Sequence, residues 1–313
     1  MLICNKKVAV CILTYNRKEL LKESLESVFN SSSQDYEVFV FNDNSTDGTN
    51  EYLDSVKKIY PIIEIRNKVN LGQFGNANYV IENVNAKYCI FLHDDDKISS
   101  EHIKESLELA EKDSDIAVVG TFFNYVDENY NIVEVSKYDY IKESTILSDK
   151  EYFYHNLRGL TFTWSGSLIR MNKIKDLRFD FDYYHYFADS AFLVNLIAGN
   201  KVGFIPKPSV DYMITENRTT ETKKMDFDIR FNSWIKIFKL YEDIINKNYD
   251  RDYLIELKKD STQTLFSLLI SICPNFHSFF KLIKSEYFVL SYLKFKDILR
   301  IFYKFFKILV GKK

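Results

Sequence analysis

Three nearly unbroken apolar runs restrict what this chain can fold into more than any other feature. VAVCIL at 8–13, YEVFVF at 36–41 and YCIFL at 88–92 lack the polar alternation of a strand with one wet face. Such runs suit strands covered on both sides, as in a parallel sheet between two layers of helices. Between them the apolar residues change to helical spacing: Leu20, Leu21, Leu25, Val28 and Phe29 within 17–29, then 49–59, 74–84 and 101–111. Further strands are expected at 62–65 and 116–121. Strand and helix therefore alternate with short connections, which predicts an α/β fold with a doubly wound, mostly parallel sheet and right-handed crossovers. Four prolines and nine glycines in 313 residues fit long regular elements rather than a turn-rich all-β design.

In open sheets of this kind ligands sit at the carboxyl ends of the strands. The residues just past those ends are Thr14-Tyr15-Asn16-Arg17, Asn42-Asp43-Asn44-Ser45 and His93-Asp94-Asp95-Asp96. Three carboxylates in a row repel one another unless positive charge compensates them. Carboxylates with water and phosphate oxygens suit Mg²⁺ or Mn²⁺, and such an ion neutralises a leaving diphosphate. The alternative is a solvated charge run. In the second loop Asp43 is placed to accept from a nucleobase N–H, whereas Thr46 and Asp47 read as turn and helix cap. No GxGxxG or GxxxxGK[ST] follows the first strand, which counts against a dehydrogenase or a P-loop enzyme.

Taken in order, these segments resemble the inverting family-2-type glycosyltransferases with the GT-A fold, over roughly residues 7–218. The opening strand ends in Thr14-Tyr15-Asn16-Arg17, with Thr14 near the nucleotide. Residues 41–49 (FNDNSTDGT) are similar to the family's acidic segment, with Asp43 in the base-reading place. Asn70, Gly72 and Asn78 match a further donor-side segment, and 93–96 match the metal-binding DxD region. Trp164-Ser165-Gly166 is similar to an acceptor-side stretch, and Ala188-Asp189 to the pair that carries the catalytic base. The resemblance implies a Mn²⁺- or Mg²⁺-dependent transfer of a sugar from a nucleotide-sugar donor, a UDP-sugar foremost, to an acceptor hydroxyl with inversion. It implies Asp95 and Asp96 as metal ligands, Asp94 as a donor contact and Asp189 as base. A surface polysaccharide or glycoconjugate pathway, with a glycan or lipid-linked acceptor, is the expected setting. The sequence departs from the pattern at Asn42, Ala77, His93 and Ala188, so Asp189 stands alone where the family has two acidic residues.

Read locally, Asp189 opens a helical pattern and serves equally as a helix cap. His185 reads as structural. Arg218, in a loop similar to one that covers the donor, suits either a phosphate or solvent. The expected organisation is a catalytic domain over 1–225, with a nucleotide-sugar half at 1–121 and an acceptor half at 122–225, then a helical region at 226–313. Residues 281–313 hold nine Lys or Arg against Glu286 and Asp297, interleaved with large apolar residues. That pattern fits a helix on an anionic membrane surface, or one packed on the catalytic domain or a twin subunit. The net charge of -2 and the lack of a recognition motif argue against nucleic acid. The four scattered cysteines read as buried thiols in a reducing compartment. With no signal peptide or spanning run evident, the expected location is cytoplasmic, peripheral at the inner face of the membrane. Two rival functions are a sugar nucleotidyltransferase, whose Gly-rich, lysine-bearing opening is missing, and an inactive sugar-nucleotide-binding module.

Overall fold

A computed structural model describes residues 1–214 and 227–248, with Ile255 and Lys284. The expected roles of Arg218 and of the basic segment 281–313, Lys284 apart, lie outside these residues. The strands are β1 (Leu2–Ile3), β2 (Val8–Thr14), β3 (Tyr36–Asn42), β4 (Ile62–Arg66), β5 (Val84–Asn85), β6 (Tyr88–His93), β7 (Lys97–Ile98), β8 (Ile116–Val126), β9 (Ile132–Val135), β10 (Thr145–Leu147), β11 (Leu168–Arg170) and β12 (Lys201–Met213). The helices are α1 (Lys18–Phe29), α2 (Thr49–Val56), α3 (Gly72–Asn83), α4 (His102–Ala110), α5 (Asp149–Asn156), α6 (Phe181–Tyr184), α7 (Ala188–Ile197) and α8 (Phe227–Asn248).

One sheet carries the fold, in the order β10-β12-β8-β11-β6-β2-β3-β4. β2, β3, β4 and β6 run parallel, and β8 runs parallel to β12. β11 is antiparallel to both β6 and β8 and closes the gap between the two parallel sets. The sheet is continuous across residue 121, where β8 runs on to Val126.

The apolar runs work as their composition requires. Along β2, Val8, Val10 and Ile12 face one core with Leu21 and Leu25 of α1, Leu53 of α2 and Ile103 of α4. Ala9, Cys11 and Leu13 face the opposite core with Ala77 and Val80 of α3, Phe153 of α5 and Phe192 of α7. Successive side chains on a strand point to opposite faces, so both sets must be apolar when helices cover both faces. Phe39, Phe41 and Phe91 are fully buried, each worth about 1.5–3 kcal/mol over an exposed ring.

The region 122–214 holds more order than its sequence suggests. Pro206 and Pro208 interrupt the segment that becomes β12, and proline cannot donate to a sheet ladder. The strand absorbs them through register shifts between Ile205 and Pro208 and between Pro208 and Val210. Gly166 has φ of 85°, and a Cβ there would lie 2.7 Å from Val210 Cγ2. It is thus a backbone requirement of the turn into β11.

His102, buried in the first turn of α4, fastens that turn. Its Nε2 lies 2.6 Å from the Gly166 carbonyl and its Nδ1 2.9 Å from Ser209 Oγ. Nε2–H donates to the carbonyl, and Nδ1 accepts from the serine. Burial lowers the His102 pKa from its ordinary 6.5 to about 4. Between these values the unfolded chain binds a proton that the native state refuses, so stability falls as the solution is acidified. The expected loss from this residue is about 2 kcal/mol by pH 5. His102→Gln should be less stable at neutral pH and lose correspondingly less on acidification, as measured by urea unfolding at both pH values.

Candidate functional site

The parallel register decides which loops meet. Thr14 pairs with Asn42 across β2 and β3, and Leu13 with His93 across β2 and β6. All three polar loops therefore leave the sheet at one edge. Strand order reverses between β2 and β6, since β3 and β4 lie on one side of β2 and β6 on the other. A crevice opens at such a switch point. Here it is a cleft of about 470 Å³, whose walls include Thr14, Tyr15, Arg17, Asp43, Asn70, Gly72, Asp94, Trp164 and Asp189.

The acidic loop after β6 forms the floor. Asp94 and Asp95 are nearly wholly buried beside each other, and Arg17 supplies the nearest positive charge. Its Nη1 lies 2.8 Å from Asp95 Oδ2 and 3.3 Å from Asp94 Oδ1. The backbone N–H of Tyr15 also donates to Asp94 Oδ2 at 3.3 Å. Burial, then the neighbouring Asp95, raises the Asp94 pKa to about 7, against the lowering pull of Arg17, the Thr14 hydroxyl and the Tyr15 N–H. Asp96 points the other way. It accepts from Ser165 Oγ at 2.5 Å and from the Met213 N–H at 3.1 Å, tying the loop to the end of β12.

His93, Asp95 and Asp96 each offer a ligand atom within 4.8 Å of the others, the one such group among the described residues. An imidazole nitrogen with two carboxylates is a donor set that fits a small divalent ion, and its burial leaves a net negative charge for that ion to cancel. The residues fit the metal that the sequence implied, with His93 added. Its Nε2 lies 3.1 Å from the Gln73 amide, its Nδ1 3.5 Å from Asp96 Oδ2, and its ring packs edge-on to Trp164 at 4.8 Å.

The second loop is held by its own polar groups. Asn42 Oδ1 accepts from the Ser45 N–H, and Asp47 accepts from the N–H groups of Lys18 and Thr49, which begin α1 and α2. Asp43, on the cleft wall, accepts from the Leu71 N–H at 2.9 Å and from Asn67 Nδ2 at 2.8 Å. It thereby anchors the loop 67–71. Asn70 Oδ1 takes the Gly72 N–H, so α3 begins two residues before its apolar spacing starts. Gln73, in that extra turn, escaped the sequence analysis for this reason.

Several expected contacts are used differently. Asn16 clips two loops together: its N–H donates to Ser45 Oγ, and its Oδ1 accepts from the Thr46 N–H. Asn78 exchanges two hydrogen bonds with the backbone of Phe179. Both lie off the cleft wall. Ser165, expected to meet an acceptor, is fully buried and serves Asp96 and the His93 N–H instead. Gly166 is likewise structural, as its φ requires. Trp164 reaches the cleft but is otherwise packed among Phe74, Phe91 and Phe179. Asp189 sits half-buried in the first turn of α7, where its Oδ1 accepts from the Ser190 N–H at 2.6 Å. Asp189 is thus not the cap of α7, which is Phe187, but the second residue of the helix, and it reaches the cleft wall from there. Phe74, Asn76, Tyr212 and Ile214 also line the cleft; the first two fall within the donor-side segment 70–78, and the last two open the segment that resembles a donor-covering loop.

Comparison with known proteins adds a family to this geometry. Residues 9–178 match the family described as glycosyl transferase family 2. A Campylobacter jejuni protein described as GalNAc(5)-diNAcBac-PP-undecaprenol beta-1,3-glucosyltransferase is 22% identical over 252 residues, 79% of this chain and 78% of its own. Among solved structures, the S. aureus TarS fragment 1–349 in complex with UDP-GlcNAc superposes with a TM-score of 0.63 at 16% identity, covering 95% of this chain and 79% of the fragment. A Pyrobaculum calidifontis mannosyltransferase in complex with GDP-Man and Mn²⁺ superposes with a TM-score of 0.52 at 13% identity, covering 98% and 88%.

Removing Asp43 leaves the Leu71 N–H and Asn67 amide without their acceptor. Asp43→Ala should cost about 1–3 kcal/mol in stability. It should also release the Leu71 amide to fast hydrogen exchange, and undiminished protection of that amide would refute the anchoring role.

Proposed function

Because the chain belongs to glycosyl transferase family 2 and has the GT-A fold, we propose that it transfers a sugar from a UDP-sugar to an acceptor hydroxyl in one inverting displacement. The observation that carries this reading is that Asp43, Asp94 and Asp189 line one cleft although they lie on two loops and a helix far apart in sequence. Asp43 and Asn70 take the nucleoside end, with the half-exposed Tyr15 ring as a face for the base. Arg17 and the acidic loop take the diphosphate end. A divalent ion at His93, Asp95 and Asp96, when bound, would cancel charge on the leaving diphosphate. The two carboxylates suit Mn²⁺ or Mg²⁺.

Asp189 accepts the proton of the acceptor hydroxyl as that oxygen attacks the anomeric carbon. Trp164 and Phe74 form an apolar wall that limits water at the reacting centre. The relative that acts on an undecaprenyl-linked glycan supports a glycan or lipid-linked acceptor for this chain too. Among the described residues no helix is long and apolar enough to cross a membrane. Approach to such an acceptor is assigned to the basic residues of 281–313 on an anionic surface. Synthesis of a surface glycan is the matching pathway. The rival reading, an inactive binding module, requires the base to be lost, and the place of Asp189 on the cleft wall argues against it.

A panel of UDP-, GDP- and TDP-sugars tests the donor, with UDP-sugars expected to bind. Asp189→Asn should reduce transfer by about 10²–10⁴-fold while leaving donor affinity in place. Equal loss of donor binding would make Asp189 a scaffold residue. Chelation should abolish turnover, Mn²⁺ should restore it, and Asp95→Ala should prevent that restoration. Full activity of Asp95→Ala with metal would take Asp95 out of the site.

A further inference from the structure

Asp95 is claimed twice. It belongs to the group that fits a divalent ion, and its Oδ2 receives Arg17 Nη1 at 2.8 Å. The two partners of this ion pair differ sharply in freedom. The side chains of Asp94 and Asp95 are 4% and 1% exposed, whereas that of Arg17 is 44% exposed on a long stem. The contact is also not the two-pronged fork that gives arginine its strongest carboxylate pairs, since the single nitrogen Nη1 is shared between Asp94 and Asp95. Asp96 is served by other groups, Ser165 and the Met213 N–H. Arg17 thus balances Asp94, which lines the cleft, and Asp95 beside it.

We propose that Arg17 is a stand-in cation: it offsets part of the charge of Asp94 and Asp95 in the metal-free protein, and a divalent ion bound at His93, Asp95 and Asp96 displaces it toward the donor diphosphate. This rests on the reading of the cleft as a metal-assisted donor site. An ion in that group would lie one carboxylate away from the guanidinium, and like charges at that distance repel in a poorly screened site. The carboxylates are fixed in the floor, so the half-exposed arginine is the group that moves. It already lines the cleft, and a planar guanidinium matches phosphate oxygens in geometry and charge. The arrangement makes ion and arginine antagonists at Asp95. It also orders binding, because the ion frees a phosphate contact for the donor that follows. The opposite arrangement, with Arg17 and the ion holding Asp95 together, would make the arginine a support for the ion instead.

Binding of Mn²⁺ alone to the full chain, without nucleotide, separates the two. By titration calorimetry or the free Mn²⁺ spin signal, Arg17→Gln should bind the ion about tenfold more tightly than wild type, the magnitude of an ordinary coupling between two sites. Arg17→Lys keeps the charge and should bind as wild type does. In chelator Arg17→Gln should melt below wild type, and Mn²⁺ should raise its melting temperature by more. Unchanged or weaker Mn²⁺ affinity in Arg17→Gln overturns the proposal, as does equal tightening in Arg17→Lys. If wild type itself takes up no Mn²⁺, the metal-assisted reading falls and this inference falls with it; uptake by wild type without tightening in Arg17→Gln overturns this inference alone.

Discussion

A strand that ends inside the protein in three consecutive carboxylates can fold only if its surroundings answer the charge. Isolated buried carboxylates would take up protons rather than stay ionised. The chain answers from three directions. Arg17 and the Tyr15 N–H come from the end of β2, Ser165 from the turn before β11, and the Met213 N–H from the last residue of β12. These residues are far apart in sequence, and the acidic loop is the point at which they must converge. Much of the cleft's architecture follows from that demand.

The polar residues around the cleft divide into those that hold loops and those that face a ligand. Asn16, Asn42, Asp47, Asn78 and Ser165 have their hydrogen bonds committed to backbone or to neighbouring loops. His102 and Gly166 fix the turn that carries Ser165. Asp43 does both kinds of work, since it anchors the loop 67–71 from a position on the cleft wall. A family motif in this chain is therefore largely a recipe for loop geometry. Few of its residues are left facing the cleft, and those few owe their precision to the rest.

The parallel half of the sheet was legible because its signal is local. A strand buried on both faces must be apolar at every position, as in 8–13 and 88–92, and the helices between need one apolar stripe. The remainder was not legible for equally physical reasons. β12 contains Pro206 and Pro208, which read as breaks until β8 is seen to accept the register shifts. β11 is three residues long and is defined only by its neighbours β6 and β8. His93 lies in the segment 93–96 matched to the metal region, but as a departure from its acidic pattern it does not read as a ligand, and Gln73 lies in the first residues of a helix that begins before its apolar spacing does.

The sequence by itself determined the sheet class, the loops that reach the cleft and the kinds of groups those loops carry. Each of these depends on periodicity or on residue type next to a strand end. Tertiary structure alone decided which side chains face the cleft and which are spent on bracing it. It set Arg17 against Asp94 and Asp95 across 77 and 78 residues of chain, and joined Asp96 to Ser165. Those choices depend on which loops become neighbours when the sheet closes up. A hydrogen-bonding group takes whatever partner packing brings within about 3 Å, and a sequence does not record that distance.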